Sequence, residues 1–61
     1  EKMIEQLIHV IKLRQAELAA SLAFGNATTW EAYQRMVGEY QGLQYVMNSF
    51  DRMAEEEEGR E

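Results

Sequence analysis

The sequence predicts an all-α protein, two helices folded back on each other as an antiparallel hairpin. Apolar residues recur at helical spacing along two long stretches, and none of the 61 residues is proline. Between the stretches lies FGNATTWE, which sets a helix stop beside a helix start. No stretch reads as a strand. The expected layout is a hairpin over residues 1–54 and an acidic tail over 55–61. Within the hairpin, helix 1 spans about 2–24, the turn 25–28 and helix 2 about 29–54.

Helix 1 carries Ile4, Leu7, Ile8, Ile11, Leu18 and Leu22 at spacings that place them on one stripe. Gly25 can adopt the left-handed conformation that closes a helix, and Asn26 tolerates the same region. Thr28, followed three residues later by Glu31, makes a capping box: the threonine oxygen accepts from the Glu31 N–H and the glutamate reaches back to the Thr28 N–H. A stop and a start this close leave a short loop, so the helices run antiparallel.

Helix 2 has the cleaner pattern. Tyr33, Tyr40 and Met47 lie seven apart, continuing to Ala54, and Met36, Leu43 and Phe50 form the interleaved series. A sustained seven-residue repeat implies left-handed, near-antiparallel packing of the bundle type. Trp30 and Val37 widen this face near the turn. Helix 1 departs from the register at Arg14, beside Gln15, with Ser21 one repeat on. Counting back from the turn brings Arg14 near Glu39, with Glu17 as the competing partner. Two readings stand: an arginine whose methylene stem covers the core, or a polar layer that sets the register of the hairpin.

Gly38 and Gly42 need a reason, because a glycine inside a helix costs roughly 0.5–1 kcal/mol relative to alanine. At 3.6 residues per turn they point roughly 180° and 140° away from the centre of the core stripe. They share that side with Glu31, Arg35, Tyr45 and Ser49, and these six residues form the candidate interaction face. Three explanations remain open: a second helix lying in the shallow groove, a bend at the glycines, or glycines that are merely tolerated on a solvent face.

A chain this short has a marginal core on its own, and without cysteine it has no disulfide or thiolate metal site to compensate. Met3, Val10, Leu13 and Phe24 of helix 1, with Val46 and Met53 of helix 2, fall outside the main stripes and would make a patch unusual for a monomer. Oligomerisation or docking on a partner is therefore expected to complete a helical bundle. The chain opens on Glu1 rather than methionine, which leaves room for residues ahead of it.

The sequence argues against catalysis and offers no cofactor or metal site. His9 is the only histidine and sits away from the main stripe, beside Glu5 and Lys12. Consecutive glutamates at 55–58 point in different directions on a helix and would bind calcium weakly at most. Eleven acidic against six basic residues, a net charge of −5, oppose binding to a phosphate backbone. Tyr33 and Tyr40 fit core filling, whereas Tyr45 is the aromatic best placed for an external contact. No stretch approaches the roughly 20 apolar residues of a membrane span.

The run LAASLAFGNATTWEAYQRMVGEYQGLQYVMNSF resembles a group of short helical-hairpin proteins encoded by tailed bacteriophages. The pattern is an apolar helix, a turn of the LxxGxA type, an aromatic-acidic opening and YxxxxGxxxGL. It is met here by Leu22, Gly25, Ala27, Trp30, Glu31, Tyr33, Gly38, Gly42 and Leu43. The resemblance implies a phage structural role in capsid or head–tail assembly, in the cytoplasm of the bacterial host or the assembled virion. The leading expectation is a non-enzymatic protein acting by helix packing, with itself or with a phage structural protein. The alternative is a small acidic phage effector that binds and inhibits a host protein. An RNA-binding hairpin dimer would need a basic face that the sequence does not supply.

Overall fold

The computed structural model describes residues 2–59 and has two helices, α1 (Lys2–Ala23) and α2 (Trp30–Gly59). They pack against each other as a hairpin with extents of 50 × 19 × 14 Å. Glu1, Arg60 and Glu61, the last two belonging to the expected tail, lie outside the described residues.

The turn is built largely as the sequence implies. Gly25 has φ of +77°, a conformation that costs glycine little and other residues more. Its N–H donates to the Leu22 carbonyl at 3.2 Å, and the Asn26 N–H donates to the Ser21 carbonyl at 2.9 Å. These bonds satisfy acceptors that the end of α1 would otherwise leave unpaired. The N-terminal cap of α2 falls one residue later than expected. Thr29 Oγ1 accepts from the Ala32 N–H at 3.0 Å, which makes Thr29 the cap. Thr28 therefore precedes the cap, and Glu31 lies in the first turn rather than closing a box with Thr28. Glu31 still favours the helix start by its charge. Two adjacent threonines offer equivalent chemistry, and it is the second whose hydroxyl meets the helix.

The other end of α2 also departs from expectation. Residues 55–59 continue the helix instead of leaving it as a tail. Glutamate is a good helix former, although four acidic side chains near a helix C-terminus oppose its dipole.

Only three described residues are buried: Ile11, Gln15 and Leu18. Leu18, at 2% exposure, is the centre of the hairpin. Ile8, Leu22, Met36, Tyr40, Leu43, Met47 and Phe50 are half-buried around it, joined by Ala32 and Val37. Ile4, Leu7 and Tyr33, expected in the core, are exposed. Ile4 borders an open cleft with Phe50, Met53 and Ala54 at the end of the hairpin away from the turn. Tyr33 instead stacks on Trp30, with ring centroids 5.5 Å apart and planes inclined by 18°. Leu7 lies on the flank of the line along which the two helices cover each other, whereas Ile4 and Tyr33 lie near the two ends of that line, where the facing helix gives less cover.

Candidate functional site

Two polar contacts fix the register of the hairpin. Arg14 Nε donates to Glu39 Oε2 at 2.6 Å, and Arg14 Nη2 donates to Glu39 Oε1 at 3.0 Å. This two-pronged pairing is the geometry a guanidinium and a carboxylate favour. Glu17 approaches the same guanidinium at 3.6 Å. The hydrogen bond from Arg14, aided by charge attraction and opposed by partial desolvation, holds the Glu39 carboxyl below its ordinary value. The same bond, again with the attraction of Glu39, raises Arg14. One layer deeper, Gln15 Nε2 donates to the Tyr40 carbonyl at 3.3 Å and to Gln44 Oε1 at 3.1 Å. Gln44 passes the chain on to Asn48 Oδ1 at 3.0 Å. The polar layer therefore exists, with the amide buried and the ion pair exposed.

The Arg14–Glu39 pair also shows which sides of the two helices share a face. Met3, Leu7, Val10 and Arg14 follow one another at helical spacing and lie along one side of α1. Glu39, Gly42, Val46, Ser49 and Met53 do the same on α2. Because Arg14 and Glu39 meet, both rows belong to one broad face of the hairpin. In its half away from the turn this face is apolar and uncovered, with Met3 71%, Val10 59% and Met53 54% exposed and Leu7 and Val46 exposed beside them.

The six residues of the expected interaction face distribute around this surface. Arg35 and Gly42 lie on the α2 side of it, with Gly38, Tyr45 and Glu31 towards its outer edge; all five are exposed. Ser49 is half-buried, its hydroxyl donating to the Tyr45 carbonyl at 2.9 Å. A Cβ built on Gly38 or Gly42 would meet nothing within 4 Å, so packing inside the hairpin does not demand glycine at either position. The helix continues through both. The sequence alone groups Met3 and Val10 with Val46 and Met53 in one patch, but it assigns Leu7 to the core and leaves the patch unconnected to the glycine side of α2.

The remaining concavities are shallow. One, of about 280 Å³, lies between the helices near the turn, lined by Ala19, Leu22, Val37 and Tyr40. His9 lines another with Lys2, Glu5, Gln6 and Val10. Among the described residues no three His, Asp or Glu side chains gather where they could hold a metal ion. None of the described helices is long and apolar enough to cross a membrane. No family model, curated protein or solved structure matches the chain.

Proposed function

We propose that this chain is a non-enzymatic assembly protein that works by helix packing with a second copy of itself. The observation that carries the reading is the uncovered apolar face: five large apolar side chains of the two rows, Met3, Leu7, Val10, Val46 and Met53, are exposed together. Burial of such surface stabilises by about 25 cal/mol per Å². A hairpin whose buried core is Ile11, Gln15 and Leu18 has more to gain from that burial than a larger domain. The resemblance of residues 18–50 to short tailed-phage proteins supports placing the association in capsid or head–tail assembly, in the host cytoplasm or the virion.

Sedimentation velocity from low to high micromolar concentration tests the association. A shift from one chain to two with rising concentration supports it, and a single-chain species throughout overturns it. The phage assignment is tested separately, by whether the gene for this chain lies beside virion-structure genes of a tailed phage; a setting with none overturns it.

A further inference from the structure

The face carries a size pattern that names its occupant. On α2 the row reads Gly42, Val46, Ser49, Met53: small, large, small, large. Reversed about its midpoint, it sets Met53 against Gly42 and Val46 against Ser49, a large residue over a small one at every level. On α1 the row reads Met3, Leu7, Val10, Arg14, and reversal sets Leu7 against Val10 and Met3 against the methylene stem of Arg14. The two midpoints also lie at the same height in the hairpin. Ile4 shares a cleft with Phe50, Met53 and Ala54, and Gln15 bonds Tyr40 and Gln44. Interpolating between these levels places the gap between Leu7 and Val10 beside the gap between Val46 and Ser49.

We propose that a second copy docks on this face about a two-fold axis that crosses both helices at that height, α1 over α1 and α2 over α2, antiparallel. The inference rests on the self-association proposed above and specifies its geometry. A two-fold contact uses the same patch on both copies, so the patch must be complementary to itself; the α2 row meets that condition by size, and the α1 row sets apolar surface on apolar surface. Charge disfavours the alternative. A two-fold along the hairpin would set Glu55, Glu56, Glu57 and Glu58 of both copies side by side, whereas the crossing two-fold separates the two acidic ends and lays each near the Arg14–Glu39 pair of the other copy. Area allows it. At 1.5 Å per residue the overlap runs roughly 35 Å along α2 and 20 Å along α1, across a hairpin 19 Å wide. Full coverage would amount to at most about 1,000 Å² over both copies, near the smallest size that supports a specific interface.

A distance measurement tests the geometry. The chain has no cysteine, so Phe24→Cys, at an exposed site beside the turn, accepts a single nitroxide label. The crossing two-fold separates the two labels by about 45 Å, from the rise along α1 on either side of the axis. Pulsed dipolar spectroscopy at a concentration where sedimentation shows two chains should read that distance. A dimer with a separation of about 25 Å or less would place the turns side by side; it would overturn the axis while leaving self-association standing. A single-chain mass would overturn both. Ser49→Leu fills the notch opposite Val46 and should weaken the dimer at least tenfold with helical circular dichroism retained. Unchanged affinity would also overturn the arrangement.

Discussion

Replacing Gln15 with leucine puts the polar layer against the hydrophobic core at the one position where both compete. Gln15 is 9% exposed and donates at 3.3 and 3.1 Å, both beyond the commonest N–H···O distance. Such bonds contribute about 0.5–1.5 kcal/mol each, with these two expected near the low end. Leucine buries two more apolar carbons than glutamine, worth about 1.6 kcal/mol at roughly 0.8 kcal/mol each, and gives up roughly 1 kcal/mol less rotamer freedom. No acceptor is stranded by the change. Tyr40 lies within α2, where its carbonyl can accept along the helix, and the exposed Gln44 amide can turn to water. Gln15→Leu should therefore stabilise the hairpin by roughly 1–2 kcal/mol. The assay is urea unfolding followed by circular dichroism, read as a higher midpoint with an unchanged slope. A lower midpoint would refute the reasoning and show that the amide contacts outweigh apolar burial here.

Three further outcomes follow from the cap, the ion pair and the glycines. Thr29→Ala should cost about 1 kcal/mol through the lost bond to the Ala32 N–H, while Thr28→Ala should be close to neutral; thermal unfolding of the two variants compares them. The Glu39 carboxyl is held below its ordinary value when folded, so its contribution is present above the unfolded value and is lost as pH falls through the folded one. Urea midpoints measured over a descending pH series should accordingly fall less in Glu39→Gln than in the parent, and high salt should narrow that difference. Gly38→Ala and Gly42→Ala meet no steric obstacle in the single hairpin and should each raise helix stability by roughly 0.5–1 kcal/mol. Sedimentation should then separate them, because Gly42→Ala encroaches on the seat of Met53 and weakens self-association, whereas Gly38→Ala at the edge of the face does not.

The hairpin was legible because its signals are local: seven-residue spacing in helix 2, a glycine stop, and a threonine start within a few residues. The choice between Thr28 and Thr29 was not, since both carry the same hydroxyl and only the path of the turn separates them. Nor did periodicity show where helix 2 ends, because glutamates at 55–58 suit a helix and a solvated terminus equally well. Core membership followed the stripes near Ile11 and Leu18 and failed at Ile4, Leu7 and Tyr33. An apolar stripe says which side of a helix avoids water, not whether anything is there to cover it. Arg14 and Glu39 illustrate the converse case. Their pairing was open to inference from register, but its consequence, one face joining Met3, Leu7 and Val10 to Gly42, Val46 and Met53, needed the two helices in place. The glycines look unexplained on a single wheel, and the hairpin leaves both in open space, with Gly42 in the row of Val46 and Met53.

The most direct measurement is the unfolding midpoint as a function of chain concentration. If stability depends on a second copy, unfolding is coupled to dissociation. A hundredfold rise in concentration should then add up to about 2.7 kcal/mol and move the midpoint upward. Identical midpoints across that range, with a sharp cooperative transition in each, would mean that the 61-residue chain is stable alone and that its apolar face needs no cover.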